Sequence, residues 1–328
     1  MRPRRRQRLQ PHTLYLRLKR WARCCCYFYM MSLSLFSHAE VDVYYPEVRA
    51  PYQQIFEQII EGVTSELPHK PSLHGLSKNT KPPQPDTQQG IIIALGQRGL
   101  KAAAQGPQQV IVGAISRPPN SFPKPLYGFA LTPAPAKILG KLKELAPNVT
   151  KVYAVYNPIR SQWLVDDINK ACEDLNLQIT LDSADNLPKA AKLINQHLDT
   201  AAPNQSAIWL LESRFSNDNS LMNQILEEAW EKNLAVFSAN PSHIRRGLLF
   251  SMYPDNVKLG QALGQLAQKL KKQGLGNKEA GHDESTLSSP IQVFPLEHLH
   301  TGINVRTAEH LGLKIPRNQK FDLVYPAE

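Results

Sequence analysis

Ser116-Arg117, Asn157-Pro158 and Glu212-Ser213-Arg214 each follow a short run of apolar, β-branched or aromatic residues, and Ser238-Ala239-Asn240 closes another. Tyr45-Pro46, Gly96-Gln97-Arg98 and Thr132 stand at places of the same kind. Hydroxyls, amides, a phenol and three guanidinium groups suit the hydrogen bonding of a small polar solute. If helices start after Gly96, Thr132 and Asn157, their free N–H groups suit a ligand carboxylate or another anion. Glu212 would take a ligand amine, or pair with Arg214 or Arg245. The competing reading is local, because Ser, Thr and Asn at such places also serve as helix N-caps. The candidate ligand-binding set is Tyr45, Gln97, Ser116, Arg117, Thr132, Asn157, Glu212, Ser213 and Asn240.

Catalytic chemistry has little to stand on. The chain lacks G-x-x-x-x-G-K-[ST], a G-x-G-x-x-G after a strand, G-x-S-x-G and H-E-x-x-H. Asp166 and Asp167 lie early in an amphipathic stretch, where carboxylates favour the positive end of a helix dipole. Glu297, His298 and His300 share an exposed-looking segment without metal-ligand spacing, and His282-Asp283 lie in a polar one. No catalytic residue, metal or cofactor is expected. Of four cysteines, Cys24, Cys25 and Cys26 are adjacent near the N-terminus, which leaves Cys172 on a helix face with no partner for an internal disulfide.

The elements that must position the candidate residues alternate in type. Apolar runs at 41–45, 90–96, 110–115, 127–131, 151–156, 178–181, 207–211, 235–238, 247–252, 291–294 and 321–325 read as strands. Helical periodicity falls at 51–67, 97–105, 133–145, 161–177, 187–198, 219–233, 256–273 and 306–311, with Pro133 in a tolerated first-turn position. Gly-Ile-Ile-Ile-Ala-Leu-Gly from Gly90 is apolar throughout, as a parallel strand covered on both faces requires. Two β-α series predict an α/β protein with two open, parallel-stranded lobes. Open sheets of this kind bind ligands at the carboxyl ends of their strands, which is where the candidate residues lie. The Gly/Ser/charge-rich stretch 274–289 reads as a surface insertion.

Thirty-eight Lys and Arg against 28 Asp and Glu set a net charge of +10, which at first suggests nucleic acid. Residues 1–39 hold nine of those cations and no acid, so the remainder is nearly neutral, at 29 basic against 28 acidic residues. A basic region to Arg23, an apolar stretch from Cys24 to Phe36 and Ser37-His38-Ala39 read as an export signal cleaved near Ala39, which places the mature protein in the periplasm. Thirteen apolar-biased residues fall short of the about 20 that span a bilayer. An uncleaved anchor and a basic nucleic-acid arm are the alternatives. The nearly neutral remainder argues against a nucleic-acid partner.

Val155-Tyr156-Asn157-Pro158 after a strand is similar to a turn in a family of substrate-binding proteins of ABC transporters, whose tryptophan/tyrosine-type branch it resembles. Arg246-Gly247-Leu248-Leu249 followed by Leu259-Gly260 looks like that family's Gly-strand-Gly-helix passage. Ile303-Asn304-Val305-Arg306-Thr307-Ala308-Glu309-His310-Leu311-Gly312-Leu313-Lys314-Ile315-Pro316 resembles its Asn-x-x-Thr-Ala-x-x-Leu-Gly-Leu-x-Ile-Pro ending, the most specific of the three. The resemblance implies a type I periplasmic-binding-protein fold, two Rossmann-like lobes with parallel sheets joined by a multi-segment hinge. The expected division is 1–39 signal peptide, 40–130 plus 253–292 lobe 1, and 131–252 plus 293–328 lobe 2. It implies a monomeric carrier, not an enzyme, that binds a small solute such as an amino acid and delivers it to a membrane permease. The alternatives are a ligand sensor that signals to a membrane receptor and, more distantly, an enzyme on the same scaffold. The chain departs from the family in a shortened first segment, in the 274–289 insertion, and in Ser116-Arg117-Pro118-Pro119 where members have Ser-Asp-Pro. The ligand's identity is therefore left open.

Overall fold

Apolar runs of three to eight residues, too short for buried helices and bounded by Gly, Pro and polar residues, pair side by side as strands. A computed structural model describes residues 40–78, 90–211, 215, 217–273, 291–315 and 319–327. The expected leader and the 274–289 insertion lie outside the described residues. In the first series β1 is Glu40–Pro46, α1 Tyr52–Glu66, β2 Ser72–Leu76, β3 Gly90–Leu95, α2 Gly96–Ala103, β4 Gln109–Ile115 and β5 Leu126–Pro133. The second series is α3 Pro135–Leu145, β6 Lys151–Tyr156, α4 Pro158–Ser161, α5 Val165–Asp174, β7 Gln178–Ser183, α6 Leu187–Thr200, β8 Ser206–Leu210, α7 Asn219–Glu231, β9 Ala235–Ser238 and β10 Phe250–Pro254. The chain then adds α8 Asn256–Lys272, β11 Ile291–Leu296, β12 Leu299–Asn304, α9 Val305–His310 and β13 Leu323–Tyr325.

Two sheets result. The first runs β11-β5-β4-β3-β1-β2 with every pairing parallel. The second runs β13-β12-β10-β9-β8-β6-β7, parallel except where β12 meets β10. Helices cover both faces of each sheet. On the first, Ile59 and Val63 of α1 and Leu259 and Leu263 of α8 close over Val43, Ile91, Ile93 and Ile111, while Leu100 and Ala103 of α2 cover the other face. On the second, Ile138 and Leu142 of α3 and Ile168 of α5 close over Trp209, Phe237 and Phe250, and α6 and α7 pack opposite. The Phe237 ring is the middle of that aromatic layer, 5.6 Å from Trp209 and 5.1 Å from Phe250, centroid to centroid. Cys172 is buried on α5, and burial pushes its thiol up to about 11, so it acts as a small apolar core group.

Several local expectations change. Pro133 ends β5, and it is Pro135 that occupies the first turn of α3. The expected 161–177 helix is broken into α4, a 3-10 turn Gln162–Leu164 and α5, because the cap at Asn157 starts a helix at Pro158, three residues earlier. Gly247–Leu249 does not join β10; Gly247, at φ +121°, ends a 3-10 turn, Pro241–Arg246, that periodicity does not signal. The segment holding His300 is strand β12, half-covered by β10, where a His and a Gly interrupt the expected alternation. His300 Nδ1 lies 2.9 Å from Asp322 Oδ1 there. Burial alone would raise the Asp322 carboxyl; the Thr301 amide and the His300 ring outweigh it and hold the group below its ordinary value.

Candidate functional site

The chain passes between the sheets three times. It leaves the carboxyl end of β5 at Pro133 for α3, leaves the carboxyl end of β10 at Pro254 for α8, and leaves the carboxyl end of β11 at Leu296 for β12. Because β12 is antiparallel to β10, with Leu299 opposite Pro254, it starts at the carboxyl edge of the second sheet. All three crossings therefore leave from carboxyl edges, and β12 arrives at one. The crossings are also tied together: Ala134 N–H donates to the Leu296 carbonyl at 2.8 Å, and Asp255 N–H to that of His298 at 3.1 Å.

On the first edge the structure gathers Tyr45, Gln97, Ser116, Arg117 and Thr132. The Thr132 hydroxyl donates to the Ser116 carbonyl at 2.7 Å and ties the ends of β5 and β4 together. Ser116 is exposed, and the partly exposed Arg117 spends one Nη1 donor on Asn120 Oδ1 at 2.9 Å, which leaves most of its fork unspent by that bond. Gln97 is exposed in the first turn of α2, a helix whose N-terminus receives no side-chain cap. Gly96 makes that start possible: its φ is +70°, a left-handed conformation that side chains rarely adopt. Tyr45 is half-buried against the α1/α8 layer. Arg98 is structural, its Nη1 donating to the carbonyls of Leu76 at 2.7 Å and Glu47 at 3.3 Å.

The second edge carries Asn157 and Asn240. Asn157 is 4% exposed; its Oδ1 accepts from Ile159 N–H at 3.0 Å and caps α4, and its Nδ2 donates to the Asp185 carbonyl at 3.5 Å. Asn240 caps the 3-10 turn through Ser242 N–H at 3.0 Å, and its Nδ2 lies 3.1 Å from His243 Nε2. Behind it the Ser238 hydroxyl meets His243 Nδ1 at 3.2 Å, and the Ser251 hydroxyl donates to the Asn240 carbonyl at 2.9 Å. With Asn240 Nδ2 donating to Nε2, the ring carries its proton on Nδ1 and is neutral. Burial, helped by the nearby Arg246 charge, pushes His243 down to about 4. Glu212 and Ser213 lie outside the described residues.

Two exposed apolar residues near these edges escape the sequence reading. Tyr52, 65% exposed, opens α1, and Ile159, 75% exposed, is the second residue of α4, two positions after the Asn157 cap. Both are large apolar groups left to solvent. Apolar periodicity over 51–67 marks Ile55, Ile59, Ile60 and Val63 but not Tyr52, and Ile159 falls before the expected helix at 161–177, so neither position is signalled. Among the described residues no cluster of three or more His, Cys, Asp or Glu side chains has metal-holding geometry, and no helix is long and apolar enough to cross a membrane.

Two solved structures share this arrangement. A substrate-binding protein with adhesive properties from Clostridium difficile, in a ligand-free, open structure, aligns with TM-score 0.58 at 16% identity, over 88% of this chain and 100% of its own. An ABC domain from Streptococcus pneumonia in complex with L-Trp aligns with TM-score 0.51 at 16% identity, over the same shares of each chain. The fold is that of the type I periplasmic binding proteins. No protein-family model and no curated protein matches the chain. Five of the seven described candidate residues stand at the carboxyl edge of the first sheet and two at that of the second.

The buried network behind Asn240 has a pH signature. His243 is held neutral in the fold at about 4, below its ordinary 6.5. A His with a depressed folded value contributes stability that is complete above about pH 6.5 and is lost as pH falls toward 4. Urea midpoints of the parent are expected to drop between pH 7 and pH 5. The drop is expected to shrink in His243→Gln, whatever that change costs at pH 7. An equal drop in both would take the pH dependence away from this ring.

Proposed function

We propose that this chain is an exported solute-binding protein that takes a small polar solute into the interlobe crevice, closes over it, and delivers it to a membrane permease. In this reading residues 1–39 are a signal peptide removed near Ala39, and the mature protein is a monomer in the periplasm that does not turn its ligand over. The observation that carries the proposal is the crossing geometry: three tied segments leave from carboxyl edges and pass between the two sheets, an arrangement suited to hinge closure. On one lip Gln97, Ser116 and Arg117 are at least partly open to solvent beside the uncapped start of α2, which suits a solute with a carboxylate, an amino acid among them. The L-Trp bound to the streptococcal protein of the same fold supports that class.

The test is a thermal-shift screen of the purified protein against amino acids, peptides, nucleosides and sugars. A ligand at 100 times its Kd adds about 2.7 kcal/mol and raises the melting temperature visibly. Arg117→Ala is expected to weaken the best ligand at least ten-fold while leaving the unliganded melting temperature within about 1 °C, since a surface change of this kind costs within about 0.5 kcal/mol. An Arg117→Ala protein that binds as tightly as the parent removes the crevice assignment. A ligand that is consumed, with product appearing in the mixture, removes the carrier reading.

A further inference from the structure

A recess elsewhere on the described protein is lined by none of the seven described candidate residues. It has a volume of about 540 Å³, within the range of small-molecule sites. Its walls come from both lobes. Phe129 of β5 and Phe294 and Pro295 of β11 belong to the first sheet, and Asp167, Lys170 and Asp174 of α5 to the second lobe. Two of the three crossings close it, through Ala134 and Pro135 on one strand of chain and Glu297 and His298 on the other.

Its chemistry is two-sided. Phe294 is 56% exposed, one of the few large apolar side chains left to solvent on this protein. Together with Phe129 and the prolines it offers a body of aromatic and apolar surface. The rim holds three carboxylates and one ammonium. Lys137 reaches Glu297 at 3.7 Å across an exposed gap, which leaves Asp167, Lys170 and Asp174 with a net negative charge. An aromatic face beside surplus carboxylate is a setting for a cation, held by the ring quadrupole and by charge together.

We propose that this hinge recess is a second binding site, separate from the crevice, for a small organic ammonium ion carrying an aromatic or apolar body. The site itself does not depend on the carrier reading; only its effect on lobe closure rests on it. Since its walls belong to both lobes and to the segments about which they turn, an occupant prefers one lobe angle to another. By linkage it shifts the closure equilibrium by its difference in affinity.

Isothermal titration of the full chain at pH 7 with phenethylamine, which is protonated there, tests this. Saturable binding is expected, weakened at least ten-fold by Phe294→Ala and by the double change Asp167→Asn with Asp174→Asn, and unaffected by Arg117→Ala. Phenylacetate, the same ring with the opposite charge, is expected not to compete. The side chains exchanged are exposed, so the variants should keep the parent's melting temperature. Absence of saturable binding, indifference to both groove variants, or equal binding of phenylacetate would overturn the site. Loss on Arg117→Ala alone would move the amine to the crevice, which separates failure of this proposal from failure of the carrier reading.

Discussion

Replacing Gly260 by valine is expected to cost about 3 kcal/mol or more and to be the most damaging single change in the helical layer of the first lobe. Helices α1 and α8 meet backbone to backbone. A Cβ on Gly260 would stand 2.0 Å from the Ile59 carbonyl oxygen, and one on Gly62 2.0 Å from that of Val257. Side chains cannot yield to such a clash, because the colliding atoms are main chain. The helices must part, and Ile59, Val63, Leu259 and Leu263, all 0% exposed, lose the packing that their approach creates. Overpacking of a core costs about 1–3 kcal/mol when side chains can shift; a backbone contact belongs at the top of that range or above it. Gly140 in α3 provides the control, since nothing lies within 4 Å of its Cβ position. Gly140→Ala is expected to stabilise by about 0.5–1 kcal/mol through helix propensity. Urea unfolding of the two variants beside the parent measures both, and a Gly260→Val midpoint close to the parent's would mean that the helices do not meet as described.

That contact shows what a sequence carries and what it does not. The apolar faces of α1 and α8 are legible as Ile55, Ile59, Ile60 and Val63, and as Leu259, Leu263 and Leu270, because burial follows the 3.6 period. Their mutual packing is not legible, because 198 residues separate Gly62 from Gly260 and nothing local records the partner. The fold class follows from repeated β-α alternation, which is a local pattern, and both sheets have the parallel strands that continuous runs such as Ile91-Ile92-Ile93 require. β12 escapes for the complementary reason: its strand character comes from β10 opposite, not from its own Leu-His-Thr-Gly-Ile-Asn.

At the crevice, position was legible and role was not. A residue that follows a strand sits at a carboxyl edge by construction, so Ser116, Arg117, Asn157 and Asn240 could be placed by counting. Whether a side chain spends its polar atoms inward or holds them for a solute depends on neighbours remote in sequence. Arg117 and Gln97 stay outward; Asn157 turns inward to its own helix and to Asp185. Ser251, 13 residues beyond Ser238, completes the network behind Asn240 only because β9 and β10 are paired in register.

Asn304→Ala is expected to lose about 1–3 kcal/mol and to weaken solute binding as well, although the residue is 3% exposed. Its Oδ1 accepts from Thr307 N–H at 3.2 Å and caps α9, and its Nδ2 donates to the Ile244 carbonyl at 2.8 Å, 60 residues away. The Thr307 hydroxyl adds a bond to the Gly247 carbonyl at 3.0 Å. Asn-x-x-Thr near the chain end is thus a clamp on the 3-10 turn Pro241–Arg246, the turn that Asn240 opens at the crevice edge. Removing the carboxamide forfeits a cap, about 0.5–2 kcal/mol, and a buried hydrogen bond to the Ile244 carbonyl, about 0.5–1.5 kcal/mol; that carbonyl keeps the Gly247 N–H, 3.2 Å away. Asn304→Asp divides the two, since it keeps the acceptor for Thr307 and replaces the donor to Ile244 with an oxygen that repels it. If the clamp positions Asn240, the Asp variant retains the α9 cap yet binds solute as weakly as the Ala variant, by the same thermal-shift titration used for Arg117→Ala. Solute affinity at the parent's level in a folded Asn304→Ala protein would mean that the clamp holds the lobe together without setting its crevice edge.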